Sequence, residues 1–333
     1  MRWFGFGFNA FGQIYVHDKL IKGECSDAVK QVKVISPTEL ASHVDRSDCC
    51  LKTDGQIRAS WSRRASLHLG GDSCVCLGGF GAVIASESCG ISMKETPGCK
   101  DAFISELYLT LAFPDRIESW DLQKKEKTPS WSMEIKTESS GPPLNLPLVP
   151  GGYIATKPPF YRPLSPQLKA KSLALSAEHA ILLSASGAVY TWGLGSHGQL
   201  GHGDLTSEEQ PRAVEALWGM PMSCVATGGW HSVCISDGGD LYVWGWNESG
   251  QLGLPSRGLR KAPQQQSSQQ AATGDLYTWG WGDYGQLGHQ TLISSDEPQL
   301  VEFFREQQMR VVDVVCGAWN TFAAVVKEEV ACS

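Results

Sequence analysis

The 333-residue chain lacks a long apolar run, lacks any Cys-x-x-Cys pair and lacks an excess of positive charge. Each absence excludes something. A membrane-spanning helix needs about 20 consecutive apolar residues, and the longest uncharged apolar stretches fall well short of that. The opening Met1-Arg2-Trp3-Phe4-Gly5 spaces aromatics with glycines where a secretory leader would carry a leucine-rich run, so a soluble, intracellular chain is expected. The eleven cysteines are odd in number, and their tightest groupings, Cys49-Cys50 and Cys74-x-Cys76, have neither zinc-knuckle nor redox spacing. Reduced, buried thiols are therefore expected, with no metal. Lys and Arg total 28 against 35 Asp and Glu, a net charge of −7. Broad phosphate-driven nucleic-acid binding needs a basic face, and only Arg58, Arg63 and Arg64 make a local cluster of that sign.

Glycine and tryptophan, in contrast, are plentiful, at 36 and 12 residues. Tight turns and broad flat side chains in such numbers predict many short strands. Three segments superimpose: YTWGLGSHGQLGHG from Tyr190, YVWGWNESGQLGL from Tyr242 and YTWGWGDYGQLGH from Tyr277. In the first two copies a histidine precedes the tryptophan by 13 positions, His179 before Trp192 and His231 before Trp244. Between them an apolar alternation, a glycine turn (Ser186-Gly187, Gly238-Gly239) and a second alternation spell a β-hairpin. The glycine-rich loop then leaves over one rim.

The two ends of the chain share one further copy. Phe6-Gly7-Phe8-Asn9-Ala10-Phe11-Gly12-Gln13 repeats the closing half of the pattern, and Cys316-Gly317-Ala318-Trp319-Asn320-Thr321-Phe322 repeats its opening half, with Asn320 in the histidine place. A split repeat fits a closed ring, in which pairing the first and last strands removes both free sheet edges. Worn copies are expected over residues 1–120: Ala59-Ser60-Trp61-Ser62 with Leu77-Gly78, and a hairpin from Leu107 to Trp120 with leucine in the histidine place. Residues 121–166, rich in proline, read as an excursion between blades, 167–254 as well-formed repeats, and 274–326 as the last repeat with ring closure. The histidine place before Trp279 falls on Gln266, inside KAPQQQSSQQAATG from Lys261. Residues 255–273 accordingly read as a low-complexity gap where a blade has lost its inner strands.

The pattern G-x-x-H, hairpin, W-G-x-G/N-x-x-G-Q-L-G resembles the regulator of chromosome condensation repeat. Within that family WFGFGF from Trp3, PPFYRPLSPQL from Pro158, GGWHSVCIS from Gly228, WGWNESGQL from Trp244 and CGAWNTF from Cys316 resemble a small single-propeller branch. The resemblance implies an all-β propeller of seven blades, whereas about six hairpin marks can be counted in the sequence; six to seven four-stranded blades are therefore expected, one truncated, spanning 1–333 as a monomer. It also implies a nuclear, chromosome-associated scaffold with no enzyme activity and no cofactor, whose protein partner is a JmjC-domain histone-modifying oxygenase. Through that partner it would influence histone methylation and chromosome segregation. Histones or nucleosomes are further candidates. The founding member's activity implies the alternative, a guanine-nucleotide exchange factor for a Ran-type GTPase.

Gly5-x-Gly7 and Gly193-x-Gly195 lack the further glycine and the strand-to-helix setting of a dinucleotide site. His179, Trp192, His231, Trp244, Trp279 and Asn320 recur at matched places, as structural marks do and catalytic residues do not. Trp246 and Trp281 follow in the loops where the first copy has Leu194. They either pack on a neighbour or anchor a partner, and Asn247, Glu248, Asp283 and Tyr284 would share their rim.

Overall fold

The computed structural model describes residues 2–8, 25–32, 57–61, 65–69, 73–78, 81–86, 101–104, 108–121, 128–135, 146–255, 257–266, 274–316 and 320–327. Short strands dominate them: β1 (Arg2–Phe8), β2 (Cys25–Val32), β3 (Ile57–Trp61), β4 (Ala65–Leu69), β5 (Ser73–Gly78), β6 (Gly81–Ser86), β7 (Asp101–Ile104), β8 (Tyr108–Ala112), β9 (Arg116–Asp121) and β10 (Trp131–Glu134). There follow β11 (Leu148–Val149), β12 (Gly152–Ile154), β13 (Tyr161–Pro163), β14 (Ala170–Leu175), β15 (His179–Ser184), β16 (Val189–Gly193), β17 (Glu208–Ala213), β18 (Met222–Thr227), β19 (His231–Ser236), β20 (Leu241–Trp246) and β21 (Leu259–Gln266). The chain ends with β22 (Tyr277–Gly280), β23 (Ser295–Leu300), a one-turn helix α1 (Glu302–Glu306), β24 (Met309–Cys316) and β25 (Asn320–Lys327).

The strands form antiparallel sheets in chain order, with one exception. β7 to β10, β14 to β17 and β18 to β21 are four-stranded meanders, and β11 to β13 form three strands. The exception runs β2-β1-β25-β24, so the first and last strands of the chain share a sheet. Its register reproduces the repeat. His179 faces Gly193, His231 faces Gly245, and Asn320 faces Gly7; one step on, Ala180 faces Trp192, Ser232 faces Trp244, and Thr321 faces Phe6. The split copy inferred from the two termini is thus one hairpin.

Buried clusters lie between successive sheets. Ile181, Leu183, Val189, Val214 and Leu217 meet Cys234 and Trp244 of the following sheet, while Leu276, Val301 and Phe304 meet Phe4, Phe6, Ala323 and Val325. α1 wedges its phenylalanines against the terminal sheet, with Phe304 edge-on to Phe4 at 5.6 Å between ring centroids.

One contact recurs at these junctions. The last glycine of each GQLG loop takes a left-handed conformation, φ +77° at Gly201, +65° at Gly253 and +75° at Gly288, and the next sheet's aromatic lies against it. A Cβ on Gly201 would sit 2.8 Å from Trp244 Nε1, one on Gly253 3.1 Å from Trp279 Nε1, and one on Gly288 2.8 Å from the Phe6 ring. The loop glutamine adds a hydrogen bond through its main-chain carbonyl. Gln199 O accepts from Trp244 Nε1 at 2.8 Å and Ser232 Oγ at 2.8 Å, Gln251 O from Trp279 Nε1 at 3.0 Å, and Gln286 O from Thr321 Oγ1 at 2.8 Å. Burying an indole is worth several kcal/mol and such a hydrogen bond about 1 kcal/mol. Packing therefore supplies the attraction, and the carbonyl fixes the seat.

Three expectations are corrected. The low-complexity stretch contains a strand: β21 pairs with β20 and completes the sheet before it, Leu241 facing Gln266. A polar outer strand bonds through its backbone, so the apolar pattern sought in 255–273 was the wrong sign. Gln266 ends that strand and is no histidine equivalent. Residues 121–166 are not merely an excursion, since β10 pairs with β9 and β11 to β13 bury Tyr153 and Ile154; short edge strands tolerate flanking prolines. In the N-terminal half, β3 pairs with β4 and β5 with β6 instead of residues 59–62 with 77–78. There, too, Leu109 faces Trp120, so the shorter turn places Tyr108 rather than Leu107 opposite Asp121.

Gly201→Ala should lower stability in urea titrations by about 2–3 kcal/mol, combining backbone strain with the indole clash. Gly203→Ala, at φ +88° with nothing within 4 Å, should cost about 1 kcal/mol. Equal losses would show that the indole seat contributes nothing.

Candidate functional site

The glycine-rich loops after β16, β20 and β22 are built alike. In each the glutamine side chain folds back and its Oε1 accepts the backbone N–H two residues earlier: His197 N to Gln199 at 2.8 Å, Ser249 N to Gln251 at 3.0 Å, and Tyr284 N to Gln286 at 2.9 Å. In two of the three loops a threonine and a histidine add a second tie. Thr191 Oγ1 donates to Leu200 O at 2.6 Å and meets His202 Nε2 at 3.0 Å; Thr278 Oγ1 donates to Leu287 O and meets His289 Nε2 at 2.9 Å. The middle copy has Val243 and Leu254 at the same two places. Each loop is thereby tied to itself by its own side chains.

Their side chains make the candidate surface. Trp246 packs edge-on against Trp230 at 5.0 Å and against His197 at 6.0 Å, while His197 stacks on Trp230 at 5.2 Å. Trp230 remains 41% exposed. Trp230 was missed in the sequence, although its place immediately before the histidine mark put it on the same rim. Trp281 is 39% exposed and packs on Tyr284 of its own loop at 5.2 Å. Glu248 and Asp283 are exposed, and Tyr284 is half-buried. Asn247 leaves the rim set. It is fully buried, with Oδ1 accepting Leu252 N at 2.8 Å and Nδ2 donating to Leu254 O at 3.2 Å, so it ties its loop and has no face for a partner.

The histidine marks face inward. His179 Nδ1 accepts from Ser176 Oγ at 2.8 Å, and Nε2 meets Ser232 Oγ at 2.9 Å, whose own proton goes to Gln199 O. That chain of donors fixes a neutral imidazole protonated on Nε2. Burial, aided by His231 nearby, lowers its pKa to about 4, and burial alone lowers that of His231 to about 4. Asn320 lies in β25, and its side chain falls outside the description. Trp192 Nε1 donates to Tyr153 OH at 3.1 Å, an alternative seat in the three-stranded sheet. Cys234, pushed up to about 12 by burial, is a packed thiol. Among the described residues no group of three His, Cys, Asp or Glu could hold a metal ion, and no helix is long and apolar enough to cross a membrane.

Comparison with known proteins now decides the family. The regulator of chromosome condensation (RCC1) repeat matches residues 186–235, 238–271 and 273–324, and a second model of the same repeat matches 170–199 and 223–251. Human RCC1 domain-containing protein 1 is 37% identical over 397 aligned residues, covering 98% of this chain and 97% of the relative. The mouse protein of that name is 34% identical with the same coverage. This chain belongs to the RCC1 repeat family. The matched stretch 238–271 is about a third shorter than its two neighbours. Among solved structures, Prp20p of Saccharomyces cerevisiae, reported with its binding properties to Gsp1p and histones, superimposes with a TM-score of 0.67. It is 15% identical over 99% of this chain and 92% of the other, a likeness that shows the fold. The chain is thus an RCC1-type β-propeller protein.

A pH dependence follows from the histidines. The unfolded chain takes up protons near 6.5 and the folded one only near 4, so between these values the unfolded state binds more. The contribution of these histidines to stability is fully present only above about 6.5 and is lost as pH falls toward 4. His231→Asn, the residue type found at Asn320, should reduce the stability lost between pH 7 and 5.5 by about 1 kcal/mol, read from urea titrations at both pH values. An unchanged loss would clear His231 of the effect.

Proposed function

We propose that the chain is a non-enzymatic propeller that holds one protein partner on the rim carrying its glycine-rich loops, in the nucleus and on chromatin. The partner that the family resemblance implies is a JmjC-domain, 2-oxoglutarate-dependent histone-modifying oxygenase, through which the chain influences histone methylation and chromosome segregation. The observation that carries this reading is the end-to-end likeness to RCC1 domain-containing protein 1, joined to a rim whose exposed aromatics sit on loops already tied in place. Aromatic side chains on a rigid frame bind at low entropic cost.

The architecture that presents this rim is proposed as a closed ring. The β1–β25 pairing supports it, as does the seating of Phe6 on Gly288 and of Thr321 on Gln286, which joins the terminal sheet to the one before. β4 packs beside β5, so β3 to β6 count as one blade. That makes seven, with β22 and β23 as a blade reduced to its outer pair.

The purified chain should form a complex with a purified JmjC-domain oxygenase, and Trp246→Ala with Trp281→Ala should weaken it at least about tenfold, the scale of a single aromatic hot spot. Binding undiminished by both substitutions would remove the rim assignment. The exchange-factor alternative is separated by loading a Ran-type GTPase with labelled GDP. Release should stay at its intrinsic rate, and stimulated release would replace the scaffold reading with that one.

A further inference from the structure

We propose that the inner edge of β22, residues 276–281, is a docking edge for one extended segment of a protein partner, which adds as a strand where no described strand pairs. The proposal stands whether or not the rim aromatics bind anything.

In every other well-formed repeat the strand equivalent to β22 is flanked on both sides: β16 lies between β15 and β17, and β20 between β19 and β21. β22 pairs with β23 alone among the described residues. Leu276 O accepts Val301 N on the β23 side at 2.8 Å. Backbone groups alternate along a strand, so those of Tyr277 and Trp279 point the other way, toward no described strand. The same holds one step on. Trp246 N donates to Trp230 O and Leu194 N to Glu178 O, both across to the turn preceding a histidine mark. Trp281 is the next member of that series, and no described carbonyl takes its N–H. Exposure follows suit. Trp244 is fully buried and Trp279 half-buried; Tyr242 is half-buried and Tyr277 38% exposed.

The vacancy specifies its occupant. Gln251 O holds the Trp279 indole, and no described residue supplies a counterpart of the Ser232 hydroxyl that shares Gln199 O or of the Thr321 hydroxyl on Gln286 O. Beside it Gln266, 6% exposed, donates Nε2 to Gly253 O at 3.1 Å and leaves Oε1 buried without a partner. A segment running antiparallel to β22 would therefore present a carbonyl to Trp281 N–H. Next would come a serine or threonine facing Trp279, then apolar residues at alternate places, the pattern of HSVCIS in β19. A second copy of the chain is a poor donor, because β15, β19 and β25, which carry this pattern, are each central in their own sheet. Strand addition at an open edge draws affinity from main-chain bonds and selectivity from alternate side chains.

The probe is a synthetic peptide of residues 228–237, GGWHSVCISD, added to the full chain. Saturating peptide should slow amide hydrogen exchange of residues 277–281 at least tenfold, and a version with alanine in place of the serine after histidine should need about tenfold more peptide. No slowing at millimolar peptide, or equal slowing by a scrambled sequence, would overturn the proposal. So would a chain that is dimeric without peptide and already protected at 277–281, which would assign the edge to a second copy.

Discussion

The fold depends on a seat made by four residues, Gly-Gln-Leu-Gly, into which the next blade's aromatic settles. Its parts divide the labour. The glutamine side chain closes its own loop, the glutamine carbonyl receives the neighbour's indole or hydroxyl, and the final glycine, at positive φ, leaves the space that any Cβ would fill. The buried leucine between them, Leu200, Leu252 or Leu287, holds the loop down. Since one short segment both shapes the loop and joins the blades, a loop cannot loosen without its junction loosening too. The three loops differ at places the seat does not use, among them those of Leu194, Trp246 and Trp281, and of His197, Ser249 and Tyr284. Trp281, 39% exposed, sits at one of those places.

Much of this was legible because the seat demands particular residues at particular spacing. The histidine-to-tryptophan interval of 13 positions gave the hairpin register, and the same register carried over to Asn320 and Gly7 across the whole length of the chain. What escaped notice was carried by polar or backbone groups. Asn247 looks like a surface residue by type, yet it stands where Gly195 and Gly282 stand in the sister loops and ties off its loop with two side-chain bonds. The strand at 259–266 has no apolar alternation because its partner bonds need only main chain. Eleven positions separate Thr191 from His202 and Thr278 from His289, and the intervening copy changes both members together, to Val243 and Leu254. Such paired change marks a contact, and it would have placed His202 and His289 in hydrogen bonds within their own loops.

Among the described residues β22 and β23 pair only with each other, where β14 to β17 and β18 to β21 make four strands each. In a repeat architecture each unit contacts its nearest neighbours, so a change in one unit acts on the surfaces that face it. The contacts of this pair are one-sided. β22 and β23 retain the loop that carries Gln286 and Gly288, hence the seat for Thr321 and Phe6, and α1 still packs Phe304 against Phe4 and Phe6. Toward the terminal sheet the junction is whole. Toward β18 to β21 the Trp279 indole sits on Gln251 O, and no described hydroxyl shares that carbonyl. A strand pair seated on one side, with no described strand along its other edge, is the arrangement that the proposed strand addition needs. That combination separates a site able to accept a strand from a segment that has merely failed to fold.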